Sequence, residues 1–224
     1  MGDNDRKIKA MIQVNNITKY FDKVKAVDNV SFTIDYGESV GLIGRSGSGK
    51  TTLAKIVSRL IKPTEGNILY RGQDIYKFKK KDLKKFRQKV QIIFQDPLMS
   101  LDPKIRIKDI LLEPLLIHKH IPKTQYLQYI RSLIKKVGLE YNIMDRYPHQ
   151  LSGGQRQRVN IARALAVKPK LLICDEPVSS LDLPIQAKIL KLLSDLRRDE
   201  NLALLFISHD MSVIKIISDR VIEL

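Results

Sequence analysis

One segment of the sequence combines glycines, a lysine and two threonines at a spacing suited to phosphate binding. Residues 44–52 read GRSGSGKTT, which fits the pattern G-x-x-x-x-G-K-[ST]. Glycines let backbone amides approach phosphate oxygens without Cβ clashes, and a following helix presents its positive end to the anion. Lys50 would place a charge on the β- and γ-phosphates, and the Thr51 hydroxyl would bind Mg²⁺. The predicted nucleotide-binding residues are Gly44, Ser46, Gly47, Ser48, Gly49, Lys50, Thr51 and Thr52.

Two neighbouring acids follow an apolar segment further along the chain. Residues 171–176 read LLICDE, which predicts a buried strand that ends in Asp175 and Glu176. A strand end beside a phosphate-binding loop can hold Asp175 towards Mg²⁺, commonly through water, and can place Glu176 to polarise an attacking water. Many buried strands end in an acid at a sheet edge, so the pattern alone also fits simple strand termination. Together with residues 44–52, it predicts hydrolysis of a nucleotide phosphate.

The elements that would position these residues alternate along the chain. Periodicity predicts strands at 11–14, 30–34, 39–43, 90–94, 171–174 and 203–207. Helices are predicted from residue 53 up to a break at Lys62-Pro63, over 155–167 and over 185–198. Because strands alternate with helices, we expect an α/β fold with a parallel sheet. Residues 103–150 are mostly helical in pattern, with predicted interruptions at Pro114, Pro122 and Pro148, and indicate an inserted subdomain.

Composition limits the class of protein. The chain has 224 residues, which predicts one large domain or one domain with an insertion. A single cysteine, Cys174, excludes an internal disulfide framework, and its apolar strand predicts a small buried side chain rather than a reactive thiol. No apolar run reaches the ~18–20 residues that cross a bilayer, and residues 1–9 are polar. We therefore expect a soluble, cytosolic protein.

The formal net charge of +16 first suggests nucleic acid, an anionic membrane or a phosphorylated ligand as a partner. Residues 76–89 contain eight Lys or Arg and one acid, Asp82, and so carry +7 of this charge. Leu83 and Phe86 lie three residues apart, and Asp82 is a predicted N-cap, so this segment predicts a short surface helix with a basic outer face. A solvated face, contact with anionic lipid heads and contact with nucleic acid all remain open for it.

The segment 151–155, LSGGQ, is the most discriminating part of the sequence. It resembles the signature of ABC-type ATPases, and other motifs of that family fall in the matching order. Gln95 in FQDP resembles the Q-loop residue, Asp182 in SSLD the D-loop residue, and His209 in SHD the switch histidine. The resemblance extends from about residue 12 to residue 224. By themselves, a lone glutamine or histidine would be an ordinary strand end or surface residue, which is how His118, His120 and His149 are interpreted.

The resemblance implies that ATP lies between two subunits. The signature of one subunit would face the nucleotide of the other, so that backbone amides and a serine hydroxyl approach the γ-phosphate. The residues implied in this second half-site are Ser152, Gly153, Gly154, Gln155 and Asp182. Tyr20 stands where the family places a ring that stacks on adenine, although Tyr20 or Phe21 could instead pack under a strand. A chain alone would contain only half of each composite site.

Catalytic and metal-binding roles are implied in the same way. The implied catalytic residues are Lys50, Gln95, Glu176 and His209, and the implied Mg²⁺ ligands are Thr51, Gln95 and Asp175. The expected fold class is α/β, with a P-loop NTPase (RecA-like) core, an antiparallel β subdomain and an inserted α-helical signature subdomain at about 103–160. Residues 1–224 would form a single ABC nucleotide-binding domain. Because relatives continue beyond the position of Leu224, we expect the family's C-terminal tail to be missing.

Several features favour an importer subunit within the family. About 100 residues separate the phosphate loop from the signature, without the long coiled coil of repair and chromosome ATPases, and the chain has one cassette and no membrane helices. Residues 95–103, QDPLMSLDP, and the surroundings of 147–158 resemble the second ATPase of oligopeptide, dipeptide and nickel importers. Such a subunit would bind ATP and Mg²⁺ at the cytoplasmic face of a bacterial membrane.

The implied partners are a second ABC ATPase, in a heterodimer or a homodimer, and two integral membrane permease subunits. An extracytoplasmic solute-binding protein would act indirectly, and no nucleic acid is expected. Two alternatives remain open: a nucleic-acid-associated ABC ATPase that uses the basic segment 76–89, and an isolated cassette that binds ATP but is inactive without its partners.

Overall fold

A computed structural model describes residues 10–224, apart from the side chains of Leu98 and Met99. The predicted polar segment 1–9 lies outside the described residues. A four-stranded antiparallel sheet has the order β2-β1-β4-β5. Its strands are β1 (Ile12–Phe21), β2 (Val24–Ile34), β4 (Glu65–Tyr70) and β5 (Gln73–Asp74).

A five-stranded sheet forms the centre of the molecule, in the order β6-β7-β8-β3-β9. Every pair in it is parallel. Its strands are β3 (Ser39–Ile43), β6 (Val90–Ile93), β7 (Leu171–Asp175), β8 (Ala203–Ser208) and β9 (Arg220–Glu223). Because all five strands run in one direction, their carboxyl ends meet at one edge, where α/β proteins place their ligand sites.

Eight α-helices are present in the described part of the chain. They are α1 (Lys50–Val57), α2 (Lys80–Lys89), α3 (Pro97–Ser100), α4 (Ile107–His118), α5 (Tyr126–Lys136), α6 (Gly153–Leu165), α7 (Leu183–Glu200) and α8 (Met211–Ile217). Short 3-10 turns lie at Ile75–Lys77, Lys123–Gln125, Tyr141–Asp145 and Pro148–Gln150. Between 103 and 160 the ordered elements are all helical. The division of these residues into a separate subdomain stays a prediction.

The parallel sheet is buried on both faces. In β8, Leu204 and Phe206 join one hydrophobic cluster with the helices of the 103–165 region, whereas Leu205 and Ile207 join a second cluster with β1, β2 and α1. This two-sided burial explains why β7 and β8 are continuous apolar runs rather than alternating ones. Cys174 is fully buried in the first cluster, and burial raises the pKa of its thiol, as expected for a packing residue.

Several predicted element limits are wrong. Strands β1 and β2 are longer than predicted, since they form a twisted hairpin with register shifts that hide the alternation. Helix α1 ends at Val57 rather than near the predicted break at Lys62-Pro63, and Leu60 lies beyond the helix, 52% exposed. Lys79, not Asp82, is the N-cap of α2, with Asp82 in the first turn, where its charge still favours the helix.

The predicted interruption at Pro114 is also wrong. Helix α4 continues through this proline, although the missing N–H leaves one carbonyl without its helical donor. Ile110, Leu111 and Leu115 of the same helix are buried, so tertiary packing outweighs the local preference. Within residues 10–224, no helix has the length and apolar character needed to span a membrane.

Helix α2 attaches to the molecule through one aromatic anchor, Phe86. Its side chain is 1% exposed and makes edge contacts with Tyr70 and Phe78 at centroid distances of 5.4 and 5.9 Å. Phe86→Ala should lower the free energy of unfolding by about 3–5 kcal/mol, because it removes a large buried side chain. Urea unfolding measures the change. Lys85→Ala, at a side chain 67% exposed, should change stability by less than about 0.5 kcal/mol; equal losses would contradict the described packing.

Candidate active site

The glycine-rich loop joins the carboxyl end of β3 to the start of α1. Gly49 has φ +96° at the N-cap of α1, and a Cβ there would lie 2.0 Å from the carbonyl oxygen of Ala26. Only glycine combines this left-handed backbone with so close an approach to β2. The Lys50 side chain folds back into the loop, where its Nζ donates to the carbonyls of Gly44 and Arg45 at 2.8 Å each. The ammonium is therefore held at the mouth of the loop.

A cleft of about 520 Å³ opens over this loop. Six of the predicted loop residues line it, together with one carboxylate, one amide and one imidazole side chain that follow other strands. The lining residues are Ala26, Ser46, Gly47, Gly49, Lys50, Thr51, Thr52, Gln95, Glu176 and His209. Gly44 and Ser48 support the loop from behind, since a Cβ on Gly44 would meet Ser48 Oγ at 2.5 Å.

The carboxylate of Glu176 is contacted by side chains that follow two other strands of the parallel sheet. The Gln95 Nε2 donates to Glu176 Oε2 at 3.3 Å, and His209 Nδ1 lies 3.2 Å from the same oxygen. Glu176 itself has φ +47°, an unfavourable left-handed backbone for a side chain of this size, and its N–H donates to Ile207 O at 3.0 Å. The bond to β8 helps to hold the carboxylate over the cleft. These three polar side chains, far apart in sequence, are thus brought together around one carboxylate oxygen.

Asp175 lies one residue earlier, at the inner end of the cleft. Thr51 Oγ1 donates to Asp175 Oδ1 at 3.1 Å, and Asp175 as a whole residue is 2% exposed. Burial raises the pKa of Asp175, and this effect is only partly offset by the bond from Thr51. A buried carboxylate beside a hydroxyl is the oxygen donor set that Mg²⁺ prefers, and a cation would offset its desolvation. Thr51 and Asp175 therefore fit Mg²⁺, whereas Gln95 is turned towards Glu176.

The predicted signature residues lie away from this cleft. Ser152 is the N-cap of α6, and its hydroxyl accepts from Gln155 N at 3.3 Å while Gln155 Oε1 accepts from Ser152 N at 3.0 Å. Gly154 packs so tightly that a Cβ would meet Ile185 Cγ2 at 2.6 Å. Ser152, Gly154 and Gln155 line a separate cleft of about 390 Å³. Within one chain, the signature and the phosphate loop are not brought together.

Of three other residues near the site, two were predicted from the sequence and one was not. Tyr20 is 37% exposed in β1, with the Lys25 Nζ 5.7 Å from its ring centre, and it does not line the cleft over the loop. Asp182 is exposed at the N-cap of α7. Ala26 lines the cleft but was not predicted, because its strand was expected to begin at residue 30 rather than at Val24. The apolar residues Val24 and Ala26 alternate with a polar one, and this short pattern could have indicated the earlier start of the strand.

The fold and the loop together define a P-loop ATPase cassette, and comparisons with known proteins support this class. The dimeric MJ0796 cassette described as bound to ADP and Pi superposes with a TM-score of 0.86 at 32% identity, over 96% of this chain and 94% of that chain. The cbiO1 protein of Clostridium perfringens is described as part of the ABC transporter complex cbiONQ. It superposes with a TM-score of 0.84 at 27% identity, over 96% of this chain and 84% of that chain.

Sequence comparison gives the particular family. The family model described as ABC transporter matches residues 27–179. The oligopeptide transport ATP-binding protein OppF of Streptococcus mutans is 46% identical, over 95% of this chain and 71% of that protein. AppF of Bacillus subtilis, another oligopeptide transport ATP-binding protein, is 44% identical, over 94% of this chain and 68% of that protein. OppF of Haemophilus influenzae is 46% identical, over 93% and 64%, so the chain spans about two thirds of these relatives.

The chain belongs to the ABC transporter family. The predicted fold class, with its parallel core and antiparallel sheet, is confirmed, and so is the class of ATP-hydrolysing transporter ATPase. The roles of individual residues stay predictions.

Gly49 and Gly47 offer a matched test of the loop geometry. Both have positive φ, but a Cβ on Gly47 meets nothing within 4 Å, whereas one on Gly49 meets the backbone of Ala26. Gly47→Ala should lower the free energy of unfolding by about 1–2 kcal/mol through backbone strain alone. Gly49→Ala should cost about 3 kcal/mol or more, because overpacking adds to the strain. Urea unfolding without nucleotide measures both; similar losses would exclude the described close approach.

Asp175 predicts a pH effect on the nucleotide-free protein. Its pKa is raised in the folded state, so the folded chain binds more protons than the unfolded one once pH exceeds about 4. The stabilisation from the protonated form is therefore lost as pH rises through the raised pKa. Asp175→Asn removes this loss, so from about pH 4 upwards the stability of the variant should increase relative to that of the wild type. Unfolding measured across that range compares the slopes, and parallel slopes would refute the raised pKa.

Proposed function

We propose that this chain is the ATP-hydrolysing subunit of a bacterial ABC importer for peptides. The observation that carries the proposal is the group of Glu176, Gln95 and His209 at the rim of the cleft over the phosphate loop. Relatives named for oligopeptide transport, 44–46% identical, support the peptide cargo. The chemistry proposed for the chain is hydrolysis of the bond between the β- and γ-phosphates.

Binding would begin at the loop. The amides of residues 46–52 and the start of α1 would surround the phosphates, and Lys50 would exchange its two carbonyl contacts for phosphate oxygens. Thr51 and Asp175 would hold Mg²⁺, which supplies positive charge against the charge that develops on the phosphates. Tyr20, exposed on the hairpin of β1 and β2, would contact the adenine ring.

Hydrolysis would depend on positioning and charge stabilisation. Glu176 would accept a hydrogen bond from the attacking water and orient it in line with the leaving oxygen. Gln95 would turn from Glu176 towards Mg²⁺ when the nucleotide is present. His209, now 3.2 Å from Glu176, would donate to the γ-phosphate. Because all three come from strand ends of one rigid sheet, small changes in the cleft would bring them into line.

A dimer would complete the site. The signature residues Ser152, Gly153 and Gly154 lie outside the chain's own cleft, and the similar MJ0796 cassette is described in a dimeric structure. Two chains arranged head to tail would place the α6 amides of one subunit against the γ-phosphate held by the other, with Gln155 and Asp182 beside them. Mg·ATP binding would close this dimer, and hydrolysis would open it. A different ABC ATPase or a second copy of this chain would serve as partner.

The proposed assembly contains two integral permease subunits at the cytoplasmic face of the membrane, with a solute-binding protein on the other side. Residues 103–160 would form the helical subdomain that contacts the permeases. Leu116 and Ile117 of α4, which are 46% and 53% exposed, give this region apolar surface for such a contact. The Gln95 loop joins that region to the cleft.

Glu176→Gln tests the proposed catalysis. The variant keeps the size of the side chain but cannot accept a proton, so ATP should still bind while turnover falls by about 100-fold or more. Phosphate release measures turnover, and size-exclusion chromatography with Mg·ATP should show a stable dimer. Wild-type turnover in the variant would refute the assigned role of Glu176.

The proposed peptide cargo can be tested in cells from which the gene for this chain has been deleted. Uptake of a labelled peptide should be restored by the wild-type chain and not by Glu176→Gln. Lys85→Ala, a change on the exposed face of α2, is the control and should restore uptake fully. Unimpaired peptide uptake in the deletion strain would exclude the peptide cargo while leaving the ATPase assay to judge the chemistry.

A further inference from the structure

Helix α6 carries three arginines whose guanidinium groups each donate to a backbone carbonyl. Arg156 donates to Leu151 O and Arg158 to Val137 O, so both bonds stay within the helical region that contains α6. Arg163, two residues before the end of the helix, instead donates from Nη1 to Ser100 O at 2.5 Å. Ser100 ends α3, the short helix that follows Gln95. Arg163 therefore connects the signature helix to a different part of the site.

Further hydrogen bonds connect the acceptor of Arg163 to the carboxylate of Glu176. Ser100 Oγ donates to Asp96 O at 2.9 Å, which closes the turn between Gln95 and α3. Gln95 then donates to Glu176 at 3.3 Å. A polar path thus runs from α6 through the segment 95–100 to Glu176. The other buried polar side chains of α6, Gln157 and Asn160, have no hydrogen-bond partner among the described residues, so they supply no parallel link.

Arg163 also lies beside the predicted metal ligands. It lines a third cleft, of about 430 Å³, whose walls include Thr51, Gln95 and Asp175. Its side chain is half-buried, and burial lowers the pKa of the guanidinium, while Glu113 on α4 acts in the opposite direction. Removing a cation from water is costly, so the guanidinium needs its carbonyl acceptor and stays fixed to it. A charge-assisted hydrogen bond is stronger than a neutral one, so this single bond can transmit movement from one element to the other.

We propose that Arg163 is a positioning residue that couples the signature helix α6, through its carboxyl-terminal turn, to the Gln95 loop. It does not line the cleft over the phosphate loop. When α6 shifts on contact with a second subunit, the guanidinium carries Ser100 with it and so sets the position of Gln95 relative to Glu176. The inference rests on the proposed function, because it assigns Arg163 to the same hydrolytic site.

Arg163→Met, Arg163→Lys and the matched variant Arg158→Met test this coupling. Hydrogen exchange of the segment 96–102, measured by mass spectrometry on the nucleotide-free chain, should rise about tenfold in Arg163→Met as the turn loses its anchor. Arg163→Lys, which keeps a cationic donor, should give an intermediate rise. Arg158→Met should leave this segment at the wild-type rate, since its bond goes to Val137. The phosphate loop should keep its exchange rate in all three variants.

Steady-state kinetics supply the second readout. Arg163→Met should lower kcat about tenfold while KM for Mg·ATP stays within about twofold, because Gln95 and not the phosphate loop is displaced. Unchanged exchange in 96–102, an equal rise in Arg158→Met, or a change in KM as large as that in kcat would overturn the inference. If Arg163→Met does not fold, Arg163→Lys decides it by the same criteria. A wild-type chain that hydrolyses no ATP even with its partner ATPase present would overturn the proposed function instead, and the exchange measurement would still judge the coupling.

Discussion

The register of the parallel sheet is the constraint on which the site depends. Ile43 pairs with Ser208, Asp175 with Ile207, and Ile93 with Cys174. The residue that follows each strand therefore emerges at one edge, which places the phosphate loop, the Gln95 loop, Glu176 and His209 around the same cleft. A slip of one residue in any strand would send its terminal side chain to the opposite face of the sheet. The two hydrophobic clusters that cover the sheet prevent such a slip, so packing far from the cleft fixes its geometry.

Local sequence patterns predicted the parts of the site that follow from local geometry. The loop of residues 44–52 and the acid pair after β7 could be located because glycine spacing and strand length have direct structural meaning. Tertiary contacts could not be predicted in this way. The proline in α4 is tolerated because its neighbours are buried, and Ala26 reaches the cleft because the hairpin of β1 and β2 twists with irregular register. Arg163 occupies an ordinary helical position, and only the folded chain brings it to Ser100.

The charge of the molecule and the charge of the site are separate matters. Phe86 is the buried residue of the basic helix α2, and four of its five lysines are exposed. In the cleft, Lys50 is balanced by two carbonyl oxygens, and Asp175 is buried without a full counter-charge. The negative phosphates of a nucleotide would therefore match the charge of Lys50, and the positive charge of Mg²⁺ would match the carboxylate of Asp175. The excess of +16 instead affects how the whole chain meets other charged surfaces.

The capping box at the start of α6 has a consequence for the energetics of repeated association. Ser152 and Gln155 already bind each other's backbone amides in the single chain, so their rotamers are fixed before any second subunit arrives. Ordering a polar side chain at an interface costs about 0.5–1.5 kcal/mol, and here that entropy is lost once, during folding. Each round of closing and opening would then proceed without freezing and releasing these side chains. Under the proposed cycle of association and dissociation, this surface would stay preorganised, so that a dimer of modest affinity could still form quickly.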